Sequence, residues 1–314
     1  MSFSIPILIL AWKRPEKLKL LILKLKSAKP NKIYVSIDGP NNDRLCIKKV
    51  KETKDIIDKE INWKCSLSKN YETKNIGCKN AVSKGISWLF RFEEYGIILE
   101  EDCIPDLSFL LFAEAMLTKY KKDKSVFTIT GDCFVKNSNK YKETYYYSKY
   151  PHCWGWATWK DRWKNFDSEI KFWPLLKESK KWKRIHPNLL ERIYWNKIMD
   201  RVFKNEIDSW AYPWAGSIWN KEGKTVTPML NLVTNLGFEE DGTHTLDKKS
   251  KLGNKPVYEI KQFIGPENRE KNFHLDKECF YSTFFVISFK KLINLLKNYL
   301  FKFINKFIKV NFQI

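Results

Sequence analysis

Three consecutive carboxylates, Glu100, Glu101 and Asp102, directly follow the apolar run at residues 96–99. Carboxylates this close raise one another's pKa unless a cation neutralises them. Mg²⁺ and Mn²⁺ prefer oxygen ligands and bind through one or two carboxylates together with the phosphates of a substrate. The triplet therefore predicts a Mn²⁺ or Mg²⁺ site with Asp102 as the metal ligand and Glu100 and Glu101 beside the phosphates. A solvated acidic loop is the alternative interpretation.

A histidine and several tryptophans are further candidates for a site. His244 is one of four histidines and follows a short acidic stretch in GFEEDGTHT, so it is predicted to complete the metal shell or to meet a phosphate. Its alternative is an exposed loop residue. Tryptophans are concentrated at residues 151–159 and 209–219. Aromatic faces can carry sugar rings, although tryptophan mostly packs in cores. We expect Trp154, Trp156 and Trp210 to include the residues that contact an acceptor.

Alternating apolar runs and amphipathic stretches must position these residues. Apolar runs predict strands, and residues recurring at helical spacing predict helices. The resulting order is strand 5–11, helix 16–26, strand 32–37, helix 44–60, possible strand 61–67, helix 77–94, strand 96–99, helix 107–121 and strand 125–130. This alternation predicts an α/β fold whose mainly parallel sheet is flanked by helices. Ligands bind beyond the carboxyl ends of such strands, where the Arg14 loop, Asp38 and the acidic triplet would meet.

Composition limits the class of protein and its partners. The 314 residues carry a formal net charge of +21, which attracts phosphates, acidic lipids or nucleic acid. A nucleic-acid-binding protein is the main rival from another class, but no zinc pattern or recognition-helix signature supports it, so we expect no nucleic acid. Seven cysteines without a C-x-x-C pair favour a reducing cytosol. The N-terminal apolar run is too short for a signal core or a membrane span.

Several segments together resemble the GT-A glycosyltransferases, specifically the N-acetylglucosaminyltransferase I family and its bacterial relatives. The similarity extends over residues 5–245 and rests on PILILAWKRPEKL, YVSIDG, NIGCKNAVSKGISWLF, the acidic triplet, HCWGWATW and TVTPMLNLVTNLGF. It implies a GT-A (Rossmann-like) fold and inverting transfer from a UDP-sugar to an acceptor hydroxyl. A nucleotidyltransferase is a further rival, although AWKRPEKL lacks the glycines of the phosphate loop usual in those enzymes. An inactive relative also stays open.

The resemblance assigns roles to particular residues. Arg14 would contact the diphosphate or the uracil of the donor, Asp38 would bind the base or ribose, and Lys79 would touch the donor. The general base must be a carboxylate or a histidine aimed at the acceptor. Asp208, in the tryptophan-flanked segment before strand 224–228, is the predicted base. The alternatives are Asp200, Asp161 and Asp241.

The chain is expected to divide into three segments. Residues 1–135 form the nucleotide-sugar-binding half, and residues 136–275 form the acceptor-binding half of the same domain. Residues 276–314 intersperse lysines among Leu, Ile and Phe, which predicts a basic amphipathic C-terminal helix on an anionic membrane. A terminal helix packed on the domain is the alternative. We therefore expect a bacterial cytoplasmic enzyme, peripheral on the inner face of the membrane, that acts on a surface or lipid-linked glycan. The sequence does not indicate which sugar is transferred.

Overall fold

The computed structural model describes residues 3–136, 140–238 and 253–285. This part of the chain has a mixed α/β fold with ten strands and ten α-helices. The strands are β1 (Ile7–Ala11), β2 (Lys32–Ile37), β3 (Ser66–Tyr71), β4 (Tyr95–Glu100), β5 (Cys103–Pro105), β6 (Val126–Thr130), β7 (Tyr145–Ser148), β8 (Trp156–Trp159), β9 (Lys224–Pro228) and β10 (Val233–Asn235). The helices are α1 (Pro15–Ala28), α2 (Arg44–Glu60), α3 (Cys78–Phe92), α4 (Leu107–Lys119), α5 (Lys160–Trp163), α6 (Trp173–Glu178), α7 (Lys180–Ile185), α8 (Leu189–Phe203), α9 (Ala211–Asn220) and α10 (Phe273–Phe280).

Eight strands form one sheet in the order β3-β2-β1-β4-β8-β6-β9-β7. The pairs β3/β2, β2/β1, β1/β4 and β6/β9 are parallel, whereas β8 is antiparallel to both β4 and β6, and β7 is antiparallel to β9. Strands β5 and β10 form a separate antiparallel pair. The predicted large, mainly parallel sheet flanked by helices is confirmed. Because β8 reverses between them, β4 and β6 run in the same direction and end at the same edge.

Strand β1 shows why the sheet is covered on both faces. Ile7 and Ile9 belong to the core beneath α1, while Leu8 and Leu10 belong to the core beneath α3. All four are almost fully buried. A central parallel strand therefore reads as a continuous apolar run because both of its faces are packed.

Capping residues fix where several helices begin. The carboxylate of Asp43 accepts a hydrogen bond from the backbone N of Cys46 at the start of α2, and Asp106 does the same for Ser108 at the start of α4. These bonds satisfy backbone donors that the first helical turn leaves free. Helix α1 begins with Pro15, whose fixed φ suits the first helical position. Arg14 is therefore held between the end of β1 and the start of α1.

The predicted strand at 61–67 is wrong in position. Helix α2 ends at Glu60, the next residues form a loop, and β3 begins at Ser66 and pairs there with Lys32 of β2. Trp63, which resembles a strand residue in the sequence, anchors the loop because its Nε1 donates to the carbonyl of Pro30 at 2.9 Å. The division at residue 135 stays a prediction, while β8 and β9 from the second segment join the same sheet.

The beginning of the predicted C-terminal amphipathic segment packs against the domain. Helix α10 continues into a π-helical turn, Tyr281–Phe285. Phe284 lies 4.9 Å from the ring of Trp195 and 5.4 Å from the ring of Tyr150. Residues 286–314 lie outside the described part, so the amphipathic helix is not confirmed. Among the described residues, no helix has the length and apolar character needed to cross a membrane.

Candidate active site

The acidic triplet lies where β4 leaves the sheet. Glu100 is the last residue of β4, and the backbone N of Glu101 still donates to the carbonyl of Leu10 in β1 at 2.9 Å. The carbonyl of Asp102 accepts from the backbone N of Leu236 at 2.8 Å. These bonds tie the triplet to β1 on one side and to the chain after β10 on the other. Glu101 and Asp102 are only 7% and 8% exposed.

Arg14 reaches this triplet from the end of β1. Its Nη1 lies 2.6 Å from Oδ2 of Asp102 and 3.5 Å from Oε1 of Glu101. The guanidinium is buried with them. Three neighbouring carboxylates thus share a single close guanidinium in the described structure, and the charge of Lys17 also acts on Glu101.

The pKa values of the two glutamates reflect this imbalance. Burial, together with the charges of Asp102 and Glu101, raises the pKa of Glu100 to about 8 against the opposing charge of Arg14. Burial likewise raises the pKa of Glu101 to about 7, although Arg14 opposes the shift. Both side chains therefore bind protons near neutral pH. A divalent cation would compete with these protons for the same oxygen atoms.

The oxygen atoms present are chemically suitable for Mn²⁺ or Mg²⁺, but they are too few to enclose it. Within the described ranges, no group of three His, Cys, Asp or Glu side chains is arranged to hold a metal ion. Such ions commonly keep only one or two protein carboxylates and take their other ligands from water and substrate phosphates. The residues fit a metal that binds together with a phosphorylated ligand, with Asp102 and Glu101 as its carboxylates.

Asp38 follows β2 at the same edge of the sheet and is held in a fixed position. Its carboxylate accepts from the backbone N of Gly39 at 2.8 Å, from the backbone N of Ile76 at 3.0 Å and from the side-chain amide of Asn75 at 2.9 Å. Burial raises its pKa, although the two backbone hydrogen bonds oppose this. A Cβ atom on Gly39 would lie 2.4 Å from the backbone of Lys74, so only glycine fits there. Asp38 thus joins the loops after β2 and β3.

Asp208, the predicted base, precedes α9 in the chain and lies next to the start of α3 in space. A Cβ atom built on Gly77 would be 3.6 Å from Oδ2 of Asp208. Burial raises the pKa of the Cys78 thiol, and the charges of Glu100 and Asp208 raise it further, which places both carboxylates close to this cysteine. Asp208 is exposed, unlike the acidic triplet. The fold therefore brings a second-segment carboxylate to the edge that carries the triplet.

The alternative bases have other partners. Asp200 accepts hydrogen bonds from Lys177 and from the indole of Trp173, both at 2.9 Å. Asp161 pairs with Arg162 at 2.7 Å on the far end of β8. Asp241 lies outside the described residues, as does the predicted metal ligand His244.

The remaining predicted contacts have different environments. Lys79 donates to Oδ1 of Asn205 at 3.2 Å, which links α3 to the chain before Asp208. The indole of Trp210 hydrogen-bonds to Glu100 and stacks on Trp156 at 5.4 Å. Trp156 is 1% exposed, which favours a packing role over the predicted contact with an acceptor. Trp154 is half-buried between Phe134 and Phe238.

One strand-end carboxylate was not selected as a site residue from the sequence. Asp132 follows β6, which ends at the same edge as β4, and it is 1% exposed. Burial raises its pKa to about 7, and a hydrogen bond from Thr130 opposes the shift. The signal was present, because Asp132 directly follows a buried strand as Asp38 does. The unexpected order of the strands decides that this end lies near β4.

The similarity of this chain to known proteins is confined to solved structures. No family model matches the chain, and no curated protein matches it. Among solved structures, the chain is similar to HddC from Yersinia pseudotuberculosis complexed with GMP-PN, at 14% identity and a TM-score of 0.30, over 41% of this chain and 60% of HddC. It is also similar to a UDP-glucose pyrophosphorylase complexed with UDP-glucose, at 11% identity and a TM-score of 0.37, over 71% of this chain and 90% of the other. The chain thus spans less than two thirds of HddC. The predicted N-acetylglucosaminyltransferase I family is not confirmed.

Proposed function

We propose that this protein is a metal-dependent glycosyltransferase that moves a sugar from a UDP-sugar to an acceptor hydroxyl, with inversion at the anomeric carbon. One observation carries the proposal: three buried or half-buried carboxylates share one guanidinium at the carboxyl end of a central parallel strand. Open α/β sheets bind ligands at this edge. The raised pKa values of Glu100 and Glu101 show that the cluster favours additional positive charge.

Different side chains at this edge would bind different parts of the donor. Asp102 and Glu101 would hold Mn²⁺ or Mg²⁺, which when bound stabilises the negative charge that develops on the departing diphosphate. Arg14 would bind a diphosphate oxygen, because its planar guanidinium suits phosphate and lies 2.6 Å from Asp102, the proposed metal ligand. Asp38 offers carboxylate oxygens at a fixed position for ribose or base donors, and Lys79 in the first turn of α3 would add a positive charge for the donor.

Asp208 would act on the acceptor. Its carboxylate takes the proton from the attacking hydroxyl as the new bond to the anomeric carbon forms, and the bond to the diphosphate oxygen breaks with its electron pair. Being exposed and next to Gly77 at the start of α3, Asp208 can approach a sugar that reaches the edge from solvent. Trp210 is 3% exposed and stacks on Trp156, so both would support the edge from within, and the half-buried Trp154 is the better candidate for contact with the acceptor.

A donor screen tests this function. The purified protein is incubated with UDP-, GDP- and CMP-sugars, with and without Mn²⁺, and release of the nucleotide is measured. We expect Mn²⁺-dependent release of UDP, its loss in Asp102→Asn, and little change in the matched variant Asp161→Asn. Unchanged turnover in Asp102→Asn would overturn the metal assignment.

A second assay, in which the protein receives a nucleoside triphosphate and a sugar 1-phosphate, separates the rival nucleotidyltransferase. Such an enzyme would join a nucleoside triphosphate to a sugar 1-phosphate and release pyrophosphate, whereas a glycosyltransferase releases a nucleoside diphosphate. Pyrophosphate formation without release of UDP would reject glycosyl transfer while retaining the nucleotide site.

We also propose that the basic segment 286–314 holds the protein on an anionic bilayer at the bacterial cytoplasmic face, next to a lipid-linked acceptor. The segment contains six lysines and no Asp or Glu. Each lysine near such a surface contributes about 1 kcal/mol. Truncation should follow Phe285, because residues 281–285 pack in the domain. The truncated protein should leave acidic vesicles and retain activity on a soluble acceptor.

A further inference from the structure

The first turns of α8 expose three aliphatic side chains side by side. Leu189, Leu190 and Ile193 are 60%, 53% and 55% exposed. Residues three and four apart on a helix are neighbours, so Ile193 lies beside both leucines. The opposite face of α8 is packed through Trp195 and Met199. These three residues form a small apolar patch, here called the α8 patch.

Positive charge surrounds the α8 patch. Residues 171–204 contain ten Lys and Arg but three Asp and Glu, and one of those acids, Glu191, is buried. Helix α7, which ends just before α8, exposes Lys180 and Lys183, whereas its exposed Arg184 pairs with Glu222 at 2.6 Å. Along α8 itself, exposed Lys197 continues the stripe that begins with the patch. Aliphatic side chains inside a basic surface are typical of proteins that lie on anionic membranes.

We propose that the α8 patch and its basic surroundings dock on an anionic lipid bilayer, as a membrane contact separate from segment 286–314. The positive charge of this surface favours an anionic bilayer over the other possible occupants. Segment 286–314 is itself basic, so covering the patch with it would bring like charges together. A second copy of the chain placing its own α8 patch there would do the same. An anionic bilayer neutralises the surface and also accepts the aliphatic side chains.

The position of α8 connects this surface to the acidic edge. Asn188 at its N-terminus donates to the hydroxyl of Tyr281 at 3.4 Å, so the described chain ends, at Phe285, near this side of the domain. Beyond the other end of α8, Asn205 contacts Lys79 at the start of α3. A helix of this length spans roughly 20 Å. A bilayer at the patch would therefore present a lipid-linked acceptor within reach of Asp208. The inference deepens the proposed function and rests on it only in this last respect.

Vesicle sedimentation of the full chain tests the proposal. Vesicles of phosphatidylcholine with phosphatidylglycerol are compared with vesicles of phosphatidylcholine alone. The triple variant Leu189→Ser, Leu190→Ser, Ile193→Ser should bind the acidic vesicles about tenfold more weakly than the unchanged protein, because apolar contact adds to electrostatic attraction. The matched control is Leu20→Ser, Leu23→Ser, Leu45→Ser, which removes three exposed leucines near lysines of α1 and α2. It should bind as the unchanged protein does.

The outcomes are distinguishable. Equal binding by the triple variant and the unchanged protein, an equal loss in the control, or no binding of acidic vesicles at low salt would each overturn the proposal. A dimer in light scattering that the triple variant converts to a monomer would assign the patch to self-association instead. Circular dichroism checks that the triple variant is folded. Mn²⁺-dependent donor hydrolysis in solution should be the same in both proteins, so its absence would reject the enzymatic function and not the docking surface.

Discussion

Two groups of buried charges differ in how they are neutralised. At the sheet edge, Glu100, Glu101 and Asp102 share the single close guanidinium of Arg14, and burial raises the pKa of both glutamates. In the second half of the chain, the carboxylate of Glu191 lies 2.6 Å from Nζ of Lys149 and 2.9 Å from Nδ1 of His186, and accepts a hydrogen bond from Tyr150. Burial alone would raise the pKa of Glu191, but these partners outweigh it and the pKa is lowered.

The difference indicates what each group does. The carboxylate of Glu191 has a full set of partners at 3% exposure, so its cluster joins α8 to the strand β7 region and has no need of a ligand. The cluster at the edge has too little positive charge, and a cation or a protonated state must supply it. Raised carboxylate pKa values in a cleft are typical of functional sites, and satisfied ion pairs are typical of structure.

The largest expected effect concerns the exposed carboxylate at the edge. Replacing Asp208 by Asn should lower turnover by about 10²- to 10⁴-fold, because the acceptor hydroxyl loses its general base. Affinity for UDP and Mn²⁺, measured by calorimetry, should stay near that of the unchanged protein. A parallel fall in rate, binding and melting temperature would instead make Asp208 a structural residue, and the same change at Asp200 serves as the control.

Removing a carboxylate from the interior should affect stability instead. Glu191→Gln leaves the buried ammonium of Lys149 without its neutralising charge, which typically costs about 3–5 kcal/mol of unfolding free energy. Urea denaturation followed by circular dichroism measures this loss. A destabilisation below about 1 kcal/mol, the scale of an exposed ion pair, would contradict the view that this cluster is structural.

Replacing a glutamate by glutamine at the sheet edge should raise the unfolding free energy at high pH, whereas the same replacement at Glu191 lowers it. The folded protein holds protons on Glu100 and Glu101 that the unfolded chain releases above its ordinary carboxyl pKa of 4.5, so the metal-free protein should lose unfolding free energy as pH rises from 4.5 to about 8 and level off above that. Glu100→Gln should be more stable than the unchanged protein at pH 8.5 and equally stable at pH 4. Melting curves in chelator, with Mn²⁺ added in a parallel series, measure this. A variant less stable at pH 8.5 would remove the contrast with Glu191.

The smallest effect concerns the indole nitrogens of two buried tryptophans. The buried indole nitrogen of Trp214 has no hydrogen-bond partner within the described structure, whereas that of Trp159 donates to the carbonyl of Leu117 at 3.2 Å. Trp159→Phe should therefore cost about 1 kcal/mol more unfolding free energy than Trp214→Phe, since it breaks a hydrogen bond and leaves a carbonyl unpaired. Equal losses in urea denaturation would show that packing alone sets both values.

The sequence determined the first half of the fold closely. The predicted ranges 32–37 and 44–60 coincide with β2 and α2, because unbroken apolar runs and capped amphipathic stretches encode such elements locally. The order of strand and helix also fixed which edge holds Arg14, Asp38 and the acidic triplet. These parts depend on residues that are close in the chain.

The tertiary structure alone decided what the second half contributes. The aromatic segment at 156–159 becomes the reversed strand β8 between β4 and β6, which separates Asp132 from the triplet by one strand and packs Trp156 beneath Trp210. Pairing of Arg14 with Asp102, 88 residues apart, and of Lys149 with Glu191 likewise sets which carboxylates keep unbalanced charge. Strand order and buried charge balance depend on contacts between distant residues, and no local pattern of spacing records them.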